Sequence, residues 1–206
     1  MESSRKSAVS IDDPGFAEWI RAGDRAAIEV VVKTYLPQIL RAARGAGLDE
    51  TQAEDVTQET FATFIEKAPN FDGRAHVRTW LFGIFYKKVL EFRRELKRER
   101  QQDDIDEITE RRFSSDGSWL RPPRAVDTDV YHGQIREWLR ECLDTVPVRQ
   151  RLAFVLREAE GFPSREICNI LDVTRTNLGA MLHRCRNRLR ECLEARGIRG
   201  SRDAKM

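Results

Sequence analysis

Apolar residues recur at helical spacing along almost the whole chain, and no segment alternates apolar and polar residues as a half-buried strand would. The pattern predicts helices over residues 16–22, 25–46, 51–68 and 76–100, and again over 131–143, 149–160, 164–171 and 174–195. Residues 101–128 lack this period; five acids fall within 103–110, and serine, glycine and a proline pair follow. The expected fold class is therefore all-α, with two small helical domains joined by a flexible linker.

The same pattern sets the expected domain boundaries. We predict a disordered N-terminus over residues 1–13, a first domain over 14–97 and an acidic flexible linker over 98–128. A second domain is predicted over 129–196, with a polar tail over 197–206. Because 40% of the 206 residues are hydrophobic, each domain has enough apolar side chains for a core.

Composition also limits the location and chemistry that we expect. The chain has no apolar run near 18 residues and no apolar signal segment at its start, so we expect a cytoplasmic protein without membrane insertion. The four cysteines are far apart and form no CxxC pair, which predicts reduced thiols that pack as small buried residues. No clustered His, Cys, Asp or Glu site is evident, so we expect no metal, no cofactor, no catalytic residue and no enzyme activity.

Charge is segregated along the chain, although the net charge is only +2. Residues 49–66 contain six acids and no Lys or Arg, whereas residues 74–100 contain nine Lys or Arg and three Glu. An acidic helix is a poor DNA binder and a plausible protein-docking surface. Two macromolecular contacts of opposite character are therefore predicted, although solvated helix faces would give the same pattern.

Residues 164–195 have the form of a helix-turn-helix. Ser164 and Thr174 are placed to cap two helices, and 171–173 is the turn between them. At about 100° per residue, one face of the second helix is predicted to be core, and the opposite face carries polar residues. The predicted core residues are Leu178, Met181, Leu182, Cys185, Leu189 and Cys192. Residues 174–193 contain five Arg and one Glu, as expected of a helix that enters a major groove.

Aromatic and basic side chains are mixed in residues 78–88, which read RTWLFGIFYKK. A helical wheel places Leu81, Phe82, Phe85, Val89 and Phe92 on one apolar side, so these are predicted core residues. Trp80 lies nearly opposite, and Tyr86 flanks the core. We therefore expect at most two rings, Trp80 and Tyr86, to stack on bases.

Two sets of residues, in order, resemble bacterial sigma factors. Asp55-x-x-Gln58-Glu59-x-Phe61, Phe71, Trp80-Leu81 and the basic helix resemble the conserved core domain. Val146-Pro147, Arg149-Gln150-Arg151, Phe154, Leu156-Arg157, Gly161 and the helix-turn-helix are similar to the domain that binds the promoter −35 element. With these two domains alone, the chain resembles the extracytoplasmic-function (ECF) class of the sigma-70 superfamily, over residues 14–97 and 130–194.

The resemblance implies an alternative sigma factor that binds core RNA polymerase and directs it to promoters by −35 recognition and −10 melting. The implied partners are the β′ clamp coiled coil and β flap of core polymerase, promoter DNA and an anti-sigma factor. Residues matched to polymerase binding are Asp55, Gln58, Glu59 and Phe61. Residues matched to −10 DNA are Phe71, Asp72, Arg74, His76, Arg78, Trp80, Tyr86, Lys87 and Lys88. Residues matched to −35 DNA are Arg175, Thr176, Gly179, Ala180, His183, Arg184, Arg186, Asn187 and Arg188.

Within the −35 set, Arg184 is the expected bidentate partner of a guanine, whereas Arg175, Arg186 and Arg188 are better placed for phosphates. Two alternatives use the same residues differently. A stand-alone helix-turn-helix regulator would bind a palindromic duplex site without polymerase. An enzyme acting on single-stranded nucleic acid would need a catalytic cluster that the sequence lacks.

Overall fold

The computed structural model describes residues 9–100 and 131–198, with side chains described for 9–96 and 138–198. The first group of helices comprises α1 (Phe16–Arg21), α2 (Arg25–Gly45), α3 (Glu50–Lys67), a 3₁₀ turn (Ala68–Asn70) and α4 (Val77–Arg100). The second comprises α5 (Tyr131–Asp144), α6 (Val148–Phe154), a π-helical segment (Val155–Ala159), α7 (Ser164–Leu171) and α8 (Arg175–Ala195). The described ranges contain no strand, and the all-α prediction is confirmed. The predictions for residues 1–8, 101–130 and 199–206 concern residues outside the described ranges.

Side-chain caps fix where the long helices begin. Asp24 accepts a hydrogen bond from the Ala27 amide at 2.9 Å, and Asp49 and Gln52 form a capping box at the start of α3. Thr174 accepts from the Asn177 amide at 3.2 Å and caps α8 as predicted. The predicted cap at Ser164 is wrong, because Pro163 occupies the cap position and Ser164 is already the first residue of α7.

Two stretches differ from the sequence prediction. The helix expected over 149–160 is regular only to Phe154 and continues as the π-helical segment, in which the Glu160 amide donates to the Val155 carbonyl at 3.1 Å. Residues 9–13, expected to be disordered, form a turn, and the side chains of Val9 and Ile11 pack against the core. The apolar side chains at 9 and 11 account for this order.

The core of the first domain lies between α2, α3 and α4, and that of the second between α6, α7 and α8. The two are continuous, because the Phe82 and Phe162 rings meet at 4.8 Å and α7 packs along α4. The predicted core of α4 is largely confirmed: Leu81, Phe82, Phe85 and Val89 are fully buried, and Phe92 is half-buried. A second side of α4 is buried as well, since α7 covers it. The two domains are therefore in direct contact.

The cysteines contradict the expectation of four reduced thiols. Cys142 of α5 and Cys192 of α8 form a disulfide that joins residues 50 positions apart. Only Cys168 and Cys185 are free among the described residues, with Cys168 half-buried and Cys185 buried. Helical spacing could not reveal the pair, because it depends on how α5 lies against α8.

Candidate nucleic-acid interface

Helix α8 presents one long polar face to solvent. Its other face is anchored in the core by Leu178, Met181, Leu182, Cys185 and Leu189, as predicted. The turn before it is closed by Asp172 in the left-handed conformation, with φ at 52°. Thr174 then starts the helix, so the cap and the apolar stripe together fix which side faces outward.

The residues predicted to contact the −35 element lie together on this face or at its edges. Arg175, Thr176, Gly179, His183, Arg184 and Arg186 are exposed, and Ala180, Asn187 and Arg188 are half-buried. Three of them have partners: Asn187 Nδ2 lies 3.0 Å from His183 Nε2, and Arg186 pairs with Glu158 at 2.7 Å. Arg184 is exposed near the centre of the face, which leaves its guanidinium accessible to a base edge.

The buried side of α8 carries an unreactive thiol. Burial raises the pKa of Cys185 from its ordinary value of 9.0 to about 11, against the opposing effect of three arginines: Arg151, Arg186 and Arg188. A thiol with this pKa stays protonated at neutral pH and is a poor nucleophile or metal ligand. Cys185 therefore acts as a small core residue, as its place on the apolar stripe predicted.

On α4 and the segment before it, the predicted −10 residues divide into exposed and packed groups. Asp72, Arg74, His76 and Lys87 are exposed, whereas Phe71 and Tyr86 are buried. Arg78, Trp80 and Lys88 are half-buried. Phe71 stacks on Trp80 with ring centroids 4.7 Å apart, and Trp80 also meets Phe64 at 5.3 Å. Phe71 and Trp80, both predicted to contact −10 DNA, are therefore part of the packing in this conformation.

Lys88 sits in an acidic environment at the junction of α3 and α4. Its ammonium lies 3.2 Å from Glu91 and 3.5 Å from Glu59, and its pKa is raised chiefly by the hydrogen bond to Glu91. Lys88 and Trp80 line a groove of about 630 Å³ that lies between α3, α4 and α7. Lys87 lines the same groove and, unlike Lys88, is exposed.

Helix α3 presents a separate acidic face. Asp55, Gln58 and Glu59 are exposed together, one turn apart, as the sequence pattern requires of a docking surface. Phe61, which was grouped with them, is only 7% exposed and packs in the core. Ile65 is the converse case, an apolar residue that is 48% exposed. Ile65 follows Asp55 and Gln58 along the same exposed side, so this face carries an apolar residue beside the polar ones.

Comparison with known proteins accounts for the two surfaces together. The chain matches the family described as Sigma-70 region 2 over residues 31–99 and the family Sigma-70, region 4 over residues 136–189. This chain is an ECF sigma factor. It directs RNA polymerase to promoters as an alternative sigma factor, and a stand-alone regulator is not favoured because both sigma regions are present in order.

Individual relatives agree with this assignment. The sigma factor is 28% identical over 148 residues to a probable RNA polymerase sigma factor of Haemophilus influenzae, covering 68% of this chain and 76% of the relative. It is 24% identical over 162 residues to the ECF RNA polymerase sigma-E factor of Escherichia coli K12, covering 79% and 84%.

Two solved structures share the fold. The first is sigma factor RpoE in complex with the anti-sigma factor NepR from Bartonella quintana, with a TM-score of 0.62, 24% identity and coverage of 81% of this chain and 96% of that chain. The second is CnrH in complex with the cytosolic domain of CnrY, with a TM-score of 0.63, 20% identity and coverage of 87% and 96%. At these identities, the two structures establish the arrangement of helices.

Some polar residues at the meeting of the two sigma domains carried no signal in the sequence. Arg41 of α2 forms a bidentate ion pair with Glu160, which follows the π-helical segment; the two N–O distances are 2.8 and 2.9 Å. Arg149 of α6 donates to the Tyr86 hydroxyl at 2.8 Å. An alignment of coupled positions could have found these pairs, but a single sequence could not, because they join residues 63 and 119 positions apart.

No helix among the described residues of the sigma factor is long and apolar enough to cross a bilayer. Across 9–100 and 131–198, no three His, Cys, Asp or Glu side chains gather as a metal site would require. As members of a class of transcription initiation factors, sigma factors are not known as enzymes.

Proposed function

We propose that this sigma factor docks on core RNA polymerase through α3, opens and holds the −10 element with α4 and the segment before it, and reads the −35 element with α8. The observation that carries the proposal is the separation of two exposed faces with opposite charge. The acidic face lies on α3, and the arginine-rich face lies on α8. A protein that binds both a polymerase and a polyanion needs separate surfaces of opposite charge for the two partners.

The docking surface consists of Asp55, Gln58 and Glu59, with Ile65 as its apolar member. The family resemblance implies that Asp55, Gln58 and Glu59 contact the β′ clamp coiled coil, and Ile65 is added here because it is exposed. An exposed isoleucine beside a carboxylate and an amide suits a protein partner, because apolar burial adds affinity while the polar groups fix the register. Phe61 contributes indirectly, by holding α3 against the core.

The −10 surface is proposed to work by capture of unstacked bases. Arg74, His76 and Lys87 are exposed and suit the phosphates, and Trp80 offers the most accessible of the predicted rings. Unstacking costs a few kcal/mol per base step, and stacking on an aromatic ring contributes about 1–3 kcal/mol per base. Strand opening needs no covalent step, so the proposed task is performed without an enzyme active site.

The −35 surface is proposed to be the open face of α8. Arg184 would contact a guanine, while Arg175, Arg186 and Arg188 would neutralise phosphates. Gly179 and Ala180 leave the middle of the face short, so the helix backbone can approach the groove floor closely. From the resemblance, the second domain is also proposed to contact the β flap of the polymerase. The whole protein is proposed to be cytoplasmic.

An anti-sigma factor is the proposed regulator. The two solved structures that share this fold are a sigma factor in complex with the anti-sigma factor NepR and CnrH in complex with the cytosolic domain of CnrY. A partner of the same kind would have to cover surfaces on both domains of this chain. The contact between α4 and α7 already brings those surfaces onto one body.

Reconstituted transcription tests the proposal. Purified protein added to core polymerase should start transcripts at defined promoters, whose sequences then give the −10 and −35 elements. Asp55→Arg should reduce core-polymerase affinity at least tenfold by reversing the charge of the docking face, and leave duplex recognition by the preformed holoenzyme unchanged. Arg184→Ala should do the reverse, so each variant is the control for the other. Absence of any binding to core polymerase would sink the assignment.

A further inference from the structure

The second domain occupies part of the surface that is proposed to meet −10 DNA. Arg78 Nη2 donates to the Glu160 backbone carbonyl at 2.6 Å, and its guanidinium lies over the Phe162 ring at 4.0 Å. Arg78 also lies 3.8 Å from a Glu160 carboxylate oxygen. A residue matched to DNA binding is thus held by an acid and a ring from the other domain.

Glu160 is the centre of this contact. Its side chain is 1% exposed, and Arg41 donates a hydrogen bond to each carboxylate oxygen, at 2.8 and 2.9 Å. The hydrogen bond with Glu160 is the main cause of a raised pKa for Arg41. Two guanidiniums around one buried anion form the same arrangement that binds a phosphate group, because the planar fork of arginine matches both.

Further contacts extend the cover along α4. The Thr79 hydroxyl donates to Glu166 at 2.6 Å, and Arg149 donates to the hydroxyl of Tyr86, which is 5% exposed. Gly45 adds a steric element, since a Cβ built there would lie 3.0 Å from a Val155 methyl of the second domain. The fit at Gly45 shows that the two domains meet closely along α2 as well as α4.

We propose that Arg41 and Arg78 form a phosphate-binding site for promoter DNA, and that Glu160 fills this site in the closed form as a carboxylate substitute for the phosphate. The inference rests on the proposed −10 role of α4. When the two domains separate, Arg41 and Arg78 would lose their contacts with Glu160 and could bind a DNA phosphate instead. Glu160 and Tyr86 would then be exposed to solvent. Closed and open forms therefore exclude each other, and DNA or polymerase shifts the population toward the open form by binding it alone.

Two variants open the contact by independent means. Glu160→Gln removes the charge that both arginines hold, and Gly45→Leu leaves every charge in place but forces a side chain against Val155. Glu158→Gln is the matched control, because Glu158 pairs with Arg186 inside the second domain. Circular dichroism should show unchanged helicity in all three. Small-angle X-ray scattering should show a larger radius of gyration for the first two variants only.

DNA binding gives the second measurement, with a short single-stranded DNA of random sequence as the probe. Glu160→Gln and Gly45→Leu should bind it about tenfold more tightly than the unmodified protein, since affinity scales with the open fraction. In the Gly45→Leu background, Arg41→Gln should lower the salt dependence of binding by about one phosphate contact. Arg44→Gln is its control, because Arg44 lies on the same helix but pairs with Glu50 at the surface.

The outcomes separate this inference from the proposed function. An unchanged radius of gyration in both opening variants would overturn the closed form. Opening with an Arg41→Gln salt dependence equal to that of Arg44→Gln would overturn the phosphate site. Opening without any gain in DNA binding would overturn the phosphate site and the proposed −10 role together, whereas polymerase docking and −35 reading, measured by transcription, would stand.

Discussion

The two helices that are proposed to contact DNA, α4 and α8, are similar in sequence character but differ in their surroundings. Both α4 and α8 are long and rich in basic residues, with one apolar side. The polar face of α8 is open, and its exposed side chains take little part in the packing. On α4, Arg78, Trp80 and Tyr86 also bind the second domain or pack in the core. The recognition proposed for α8 should therefore be separable from stability, whereas the recognition proposed for α4 should not.

The largest expected effect concerns the disulfide that holds α8 against α5. The Cys142–Cys192 disulfide joins α5 to α8 across 50 residues, and closing a loop of that length stabilises a domain by about 4 kcal/mol. Cys142→Ser should lower the free energy of unfolding of the oxidised protein by about that amount, measured by urea denaturation. With reductant, the same variant should differ little from the unmodified protein; an equally large difference there would assign the loss to packing.

Trp80→Ala tests whether recognition and stability are coupled on α4. The indole packs on Phe71 and Phe64, so its removal should destabilise the first domain by about 2 kcal/mol and also weaken strand opening. Thermal unfolding and promoter opening, measured on the same preparation, check both effects. A variant with full stability and no opening would show that Trp80 serves DNA alone and would remove the difference between the two helices.

Arg184→Ala is the counterpart on α8. Loss of a base contact should weaken binding of the holoenzyme to its promoter by about 1–3 kcal/mol and leave unfolding unchanged. Arg190→Ala is the matched control, because Arg190 is exposed on α8 outside the predicted reading face. Equal losses in the two variants would mean that Arg184 contributes charge without reading sequence.

The smallest effect distinguishes the two candidate caps of the helix-turn-helix. Thr174→Ala removes the hydrogen bond to the Asn177 amide and should cost about 1 kcal/mol of stability. Ser164→Ala should change stability much less, since Ser164 makes no cap and accepts only a 3.4 Å contact from Arg157. Chemical denaturation of both variants measures the difference, and a reversed order would contradict the cap assignment.

Most of the helices could be predicted because their boundaries depend on local chemistry. Asp24, Asp49 and Thr174 cap the amides that follow them, and the apolar period of α8 identified its buried face correctly. The charge division between α3 and α8 was also legible in the sequence. Their precise roles at the polymerase and the promoter remain predictions, supported by the exposure of the residues concerned.

What the sequence could not supply depends on contacts between distant segments. Periodicity indicates which side of a helix is apolar, but it does not say what else packs on that helix. Tyr86 is buried because Arg149 and α7 lie over it. The packing of α3 buries Phe61, which the resemblance matched to polymerase binding, and leaves Ile65 exposed.

The disulfide and the ion pair of Glu160 with Arg41 follow the same rule. Each joins side chains on different helices, so no local pattern encodes it. The sequence by itself determined the helices, their caps and the charge of their faces, because neighbouring residues decide these. Only the tertiary structure decided which faces are open and which are covered, because that depends on how the two domains meet.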